Sequence, residues 1–362
     1  MGALLRSSRH TPLLILALIA LIWGYLWIPG KIGVENSSVF VWAGLRTFPA
    51  YVLLFGMQAL LHKPLRPKAL GLTAVVGLLQ VAGFVGFTSA ALLTRGAGHT
   101  GMLANTWQIW IIVLAWWVLG ERLRGWQWLA VGVGLVGLVL IIEPWRAGNA
   151  LSSVFALAGA LCFAGGAVVA KLLRRRHQVD LLSLTTWQGL LGSLPLVLLA
   201  FLFPGNGIHW TGGFIWSLAY SILIGTALGQ LLWLHVLNLL PAHVVAIGNF
   251  STPVVGVLAS WIQLDERLRR PEIAGMVLVM VALGLLVARE FRGRGHSPPP
   301  RNNSETQETP ASAMAVGHHS IQHVEHSVTG GGHVRIVGHQ DECGVGLPVY
   351  LVHHAHDLER TG

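Results

Sequence analysis

Charge and cysteine are both scarce in this chain. Only 11% of its 362 residues are charged and 53% are hydrophobic, whereas a soluble domain carries about 25% charged residues. That excludes an ordinary water-soluble domain. Two cysteines, Cys162 and Cys343, exclude a disulfide-framed scaffold. The apolar stretches hold no Asp or Glu near their middles. An exchanger of protons for cationic drugs needs an intramembrane carboxylate, so this lack favours a neutral, zwitterionic or anionic ligand. The stretches also lack a clustered nucleophile, a carboxylate pair and a metal-ligand set, which argues against a membrane enzyme.

Apolar runs of membrane-spanning length, about 20 residues for a helix, are abundant. Five occupy the first half, at 12–30, 39–61, 70–93, 97–119 and 125–143. Five more follow at 152–171, 181–203, 213–238, 242–264 and 272–289. The first has no small-residue cleavage site after it, and its Trp23-Gly24-Tyr25-Leu26-Trp27 run is poor for cleavage. It reads as a retained first helix.

The net charge of +9 follows topology. Counting alternate connections from the N-terminus, one set holds 14 Lys/Arg and the other 6. The richer set includes Lys63, Arg66, Lys68 and Arg174-Arg175-Arg176. The positive-inside rule then places both termini in the cytoplasm, and no nucleic-acid partner is implied.

The chain repeats itself. His99 corresponds to His243 and Asn105 to Asn249 at an offset of 144, and Glu121-Arg122-Leu123-Arg124 to Glu266-Arg267-Leu268-Arg269 at 145. Trp23-Gly24 and Lys31 correspond to Phe163-Ala164 and Lys171 at 140, and Arg46 falls opposite Gln188. Five spans is an odd number, so the second half must be inverted relative to the first. Such duplication is the usual plan of a secondary transporter with a binding site near mid-bilayer. The expected fold is an all-α polytopic membrane protein of ten transmembrane helices in two inverted five-helix repeats, 12–143 and 152–290.

The order of these features resembles the EamA type of the drug/metabolite transporter superfamily over about residues 12–290. The resemblance rests on WG…K in the first span, Arg46 in the second and LGE closing the fourth. It rests also on the glycines Gly132, Gly134 and Gly137 in the fifth, and on Pro253-Val254 and LDER in the ninth. It implies export or exchange of small metabolites, often amino acids, with the fifth and tenth helices packed outside the cavity. Two departures stand out. Trp107-Gln108-Ile109 occupy a place where the family often has proline, and Asp265 stands where it usually has glycine.

At about 100° per residue, Asn249, Thr252, Gly256, Ser260 and Gln263 form one polar stripe. Gly101, Asn105, Gln108, Ile112 and Trp116 form its counterpart. Polar groups are costly against lipid tails, so each stripe faces a cavity or a neighbouring helix. Pro253 deprives the Asn249 carbonyl of its helical partner, leaving a free acceptor or a plain kink. Arg46, roughly 10 Å along its helix, either grips a substrate carboxylate or snorkels to headgroups. Asn105, Gln108, Asn249, Thr252 and Arg46 are therefore the expected substrate-binding residues, and Pro253 the helix-kink residue. Glu121 and Glu266 read as structural residues serving the helix that follows each and pairing with Arg124 or Arg269. His99, His235 and His243, near helix ends, read as interfacial hydrogen-bonders. Trp107, Trp110 and Trp117 share a face that packs or stacks on a flat substrate.

From about 293 to 362 the composition becomes polar, with ten of the 17 histidines. It reads as a disordered cytoplasmic tail. Its spacing matches no defined zinc site, so no metal or other cofactor is expected. The expected function is a secondary transporter of small polar, amino-acid-like metabolites in the cytoplasmic membrane, working by alternating access. Its partners are a small-molecule substrate and membrane lipids. Alternatives are a lipid-linked sugar flippase, a metal-ion exporter or, further off, a membrane sensor or enzyme.

Overall fold

A computed structural model describes residues 11–120, 125–143, 150–240 and 251–294, the side chains of Ala150, Asn238 and 286–294 excepted. The described residues are helical throughout their regular structure. Among the described residues, eight helices are long and apolar enough to cross a membrane. These are α1 Thr11–Asn36, α2 Val39–Leu60, α3 Leu70–Thr94, α4 Ala97–Leu119, α5 Gly125–Ile142, α6 Leu151–Arg176, α7 Leu181–Leu202 and α8 Gly212–Leu237. A shorter apolar helix, α9 Ser251–Leu264, and the 25-residue α10 Arg270–Arg294 follow. His243, Asn249 and Glu121 lie outside the described residues, as does the tail from 295. Helices are the expected answer to hydrocarbon, because they satisfy every backbone donor and acceptor within one segment.

Among the described residues α1 and α4 are interrupted, and α3 and α8 are widened without a break. In α1 the turn at Leu26 precedes Pro29, whose missing N–H frees the Tyr25 carbonyl. Pro49 and Pro195 lie inside α2 and α7. α3 and α8 widen to i→i+5 turns at Leu78–Gly83 and Tyr220–Leu228. Such bulges often mark functional helices. α4 breaks at Asn105–Thr106 with no proline near. The Asn105 amide donates to the Gly101 carbonyl at 2.8 Å and the Thr106 hydroxyl to the Leu103 carbonyl at 2.6 Å. These bonds compete with the helical ladder.

The departure at Asp265 has a backbone explanation. Gly120 at the end of α4 has φ +66, and Asp265 at the matching end of α9 has φ 49. Both close a helix in the left-handed conformation, which glycine adopts freely and aspartate tolerates better than most residues.

Packing pairs the halves throughout. α2 lies along α7, α3 along α6, α1 along α8 and α9, α4 against α6 and α9, and α5 along α10. Glycines permit the closest approaches. A Cβ on Gly137 would lie 2.7 Å from the Gly275 carbonyl oxygen, which brings α5 and α10 into backbone contact. The outer faces of these helices are apolar and exposed, including Leu129, Val136, Val277 and Val281, as lipid contact requires.

The connections meet at two ends. At one, the His209 N–H donates to the Asn36 carbonyl, and the Ser38 hydroxyl to the Phe203 carbonyl. At the other, Lys63 lies 3.8 Å from Asp180 and the Trp187 indole N–H donates to the Leu65 carbonyl. The α1–α2 turn thus meets the α7–α8 connection, and the α2–α3 loop meets the start of α7.

Candidate substrate site

The two polar stripes converge on α1. Trp27 of α1 stands between Gly101 of α4 and Gly256 of α9: a Cβ on either glycine would lie 3.1 Å from its indole. Gly24 abuts Thr252 and Val255, where a Cβ would lie 2.7 Å from the Thr252 carbonyl oxygen. Thr252, Pro253, Gly256 and Ser260 are buried, and the Ser260 hydroxyl donates to the Gly256 carbonyl at 2.8 Å. This part of the α9 stripe is packed against protein. Its last member, Gln263, is exposed and accepts the Tyr25 hydroxyl at 2.7 Å.

Asn105 and Gln108 flank the break in α4, and both are buried. The Asn105 amide is turned onto its own helix, but the Gln108 Nε2 has no hydrogen-bond partner. Trp116, at the far end of the α4 stripe, is 42% exposed and meets Trp128 edge-on, so the stripe leaves the interior there. Trp107, Trp110 and Trp117 do not share one environment. Trp107 packs on Phe163, the Trp110 indole N–H is buried without a partner, and Trp117 faces outward.

Arg46 lies in the interior part of α2. Its Nε is buried and unpartnered, and among the described residues no carboxylate pairs with its guanidinium. The Trp42 indole N–H, one turn away, and the Ser217 and Ser221 hydroxyls of α8 are likewise buried without partners. An unmade hydrogen bond on a buried group costs about 1–3 kcal/mol. With the Gln108 amide, these groups can all donate to an oxygen acceptor.

A further polar pair escaped the sequence reading. Gln188 of α7 donates to Gln80, in the widened turns of α3, at 3.3 Å. Gln80 is an isolated amide in the run 70–93, and that isolation was its signal.

Glu266 serves a different helix from the one it precedes. Its carboxylate accepts the Ala97 and Gly98 N–H groups at 2.8 and 3.0 Å, across 169 and 168 residues. It thereby caps the start of α4, where unsatisfied amides and the helix dipole favour an anion. Gly96 makes room, since a Cβ there would overlap the carboxylate. Arg269, the expected partner of Glu266, instead holds the buried Glu143 at 3.2 Å. Glu266→Ala should destabilise the protein by about 2 kcal/mol, the scale of a charged cap. A thermal series on detergent-solubilised protein, read by size-exclusion fluorescence, would show it. Arg267→Ala, 83% exposed at the side chain, should leave the same curve in place.

Helices of the first half pair with helices of the second, and the sequence match supplies the role of such a bundle. The model of the EamA-like transporter family fits residues 10–143 and again residues 150–288. The chain belongs to the EamA-like transporter family. EamA-like relatives match over most of their length. An uncharacterized transporter, YoaV, of Bacillus subtilis is 27% identical over 270 residues, covering 72% of this chain and 91% of its own. A probable amino-acid metabolite efflux pump of Escherichia coli is also 27% identical, covering 74% of this chain and 91% of its own. A solved crystal structure aligns with a TM-score of 0.57 at 20% identity, covering 81% of this chain and 100% of that one; it speaks for the fold alone. This EamA-like chain is thus a multi-pass membrane transporter for a small molecule, and neither family nor relatives are enzymes.

Proposed function

We propose that this protein exports or exchanges small metabolites bearing a carboxylate, amino-acid-like in kind, across the cytoplasmic membrane by alternating access. The observation that carries the substrate class is Arg46, an interior guanidinium with no carboxylate partner among the described residues. A carboxylate held in a bidentate grip satisfies both its charge and its geometry. Gln108 and Asn105, at the break in α4, and Thr252 with Asn249 on the ninth span offer polar groups for the rest of the ligand. Broken helices at a repeat interface are a usual transporter device for this purpose. The name of the Escherichia coli relative points the same way.

The proposed topology is ten transmembrane helices in two inverted repeats, 12–143 and 152–290, with both termini cytoplasmic. Three observations support it. The widened turns Leu78–Gly83 and Tyr220–Leu228 occupy the third span of each half in the same register. The second span of each half also begins with a side-chain cap, Ser38 on the Val41 N–H and Asp180 on the Ser183 N–H. The meeting of the α1–α2 turn with the α7–α8 connection is what inversion requires.

The test is mass spectrometry of the medium from cells overproducing the protein, against Asn249→Ala and Asn105→Ala at equal membrane abundance. A carboxylate metabolite should accumulate outside with the intact protein, and its rate of appearance should fall roughly tenfold or more in each variant, the worth of one or two polar contacts. Unchanged kinetics in alanine variants of Asn105, Gln108, Asn249 and Thr252 alike would sink the site.

A further inference from the structure

At the Asn36 end a buried imidazole–carboxylate pair joins the halves. His99 lies in the first turn of α4 and Glu272 in the first turn of α10, their side chains 4% and 5% exposed. The ring is a hydrogen-bonder close to a helix end. His99 Nδ1 is 3.0 Å from Glu272 Oε1, and Nε2 is 3.3 Å from the Ser153 hydroxyl of α6. The surrounding elements add charge. Arg95, at the end of α3, reaches the same Glu272 oxygen at 3.3 Å. The Arg269 N–H donates to Glu272 Oε2 at 2.9 Å, while the Arg269 guanidinium holds Glu143 at the end of α5. Glu266 binds the amides just before His99. On α1, Lys31 donates to the Leu92 carbonyl and pairs with Glu35.

We infer that His99 and Glu272 form a proton-binding site whose occupancy ties the two halves together at this end of the bundle. The site stands on its own geometry; its use in gating rests on the transporter reading above. In the neutral state Nδ1–H donates to the carboxylate and Nε2 accepts the Ser153 O–H. A proton from water adds at Nε2, and the Ser153 hydroxyl turns to accept it. Both states fit the same heavy-atom frame. After protonation the Glu272 carboxylate faces two cations, Arg95 and the imidazolium. A charge-assisted bond is about twice as strong as a neutral one, and low dielectric raises its weight further. The tie runs from α4 of the first half to α10 of the second. Low pH therefore holds this end closed, and loss of the proton loosens it.

The test uses hydrogen–deuterium exchange of the full-length protein from pH 5 to 8.5, the range in which imidazoles change charge, with rates corrected for intrinsic pH dependence. The reporting amides are Ala97, Gly98 and Arg269, which the Glu266 and Glu272 carboxylates hold. In the wild type, protection should fall roughly tenfold from the acid to the alkaline limit. His99→Gln, which bonds but cannot titrate, should show no such fall. Protection flat with pH in the wild type, or falling equally in His99→Gln, overturns the site. Should His99→Gln not fold, Glu272→Gln decides in the same way. A second arm reconstitutes the protein in liposomes with a mixture of the ¹⁴C-labelled amino acids. No uptake alongside pH-dependent protection sinks the amino-acid reading and keeps the proton site; uptake alongside flat protection does the reverse.

Discussion

Arg46→Gln should cut transport of the carboxylate metabolite by roughly a hundredfold or more while leaving the protein folded and in the membrane. Each hydrogen bond between charged groups is worth about 1.5–3 kcal/mol, and a bidentate grip loses two of them. The fold does not depend on the charge, because no described carboxylate pairs with it. Removing a buried cation without a partner relieves a desolvation cost rather than breaking a bond. Arg46→Lys should fall between, since an ammonium keeps the charge but loses the planar fork. The measurement is initial rate against substrate concentration in proteoliposomes at matched protein content, with the metabolite found in the medium as substrate. Wild-type kinetics in Arg46→Gln would remove the reason for a carboxylate.

The second large effect is on folding. Gly192→Val should leave little or no monodisperse protein. In α7, a Cβ on Gly192 would overlap the Gly77 carbonyl oxygen of α3, and one on Gly77 would overlap the Gln188 carbonyl oxygen. Both obstacles are backbone atoms, so no rotamer change clears them. Overpacking that side chains can relieve costs about 1–3 kcal/mol; here the helices must separate, and the contact beside the widened turn of α3 goes with them. The control is Gly56→Val in α2, where nothing lies within 4 Å of the added carbon. Fluorescence size-exclusion of tagged protein should give a normal peak for Gly56→Val and aggregate or no peak for Gly192→Val. A normal peak for Gly192→Val would mean that α3 and α7 do not approach this closely.

Asp265 and Glu266 show how far local sequence carries. The backbone turn at Asp265 was legible, because the matching position is Gly120 and both end a helix of the same pattern. The partner of Glu266 was not. Its charge and place near a helix boundary pointed to the helix that follows, yet the amides it binds belong to α4 in the other half. His99 likewise hid its partner. Read along the chain it is a polar residue near a helix end; in the fold its ring meets Glu272 across 173 residues. The break in α4 was half legible. Asn105 stands out in the sequence as a polar position, but its amide closes onto Gly101 of its own helix, while Gln108 keeps a free donor.

The sequence by itself determined that this chain is a duplicated membrane protein of the transporter kind. Hydrocarbon admits helices of set length and low charge, and that constraint is written residue by residue along the chain. Only the tertiary structure decided what those residues do to one another. It decided that Trp27 occupies the space between the two related helices, that Arg46 has no described carboxylate beside it, and that His99 does. Pairings across the halves depend on which faces of distant helices meet, and the periodicity of one helix carries no record of its neighbour.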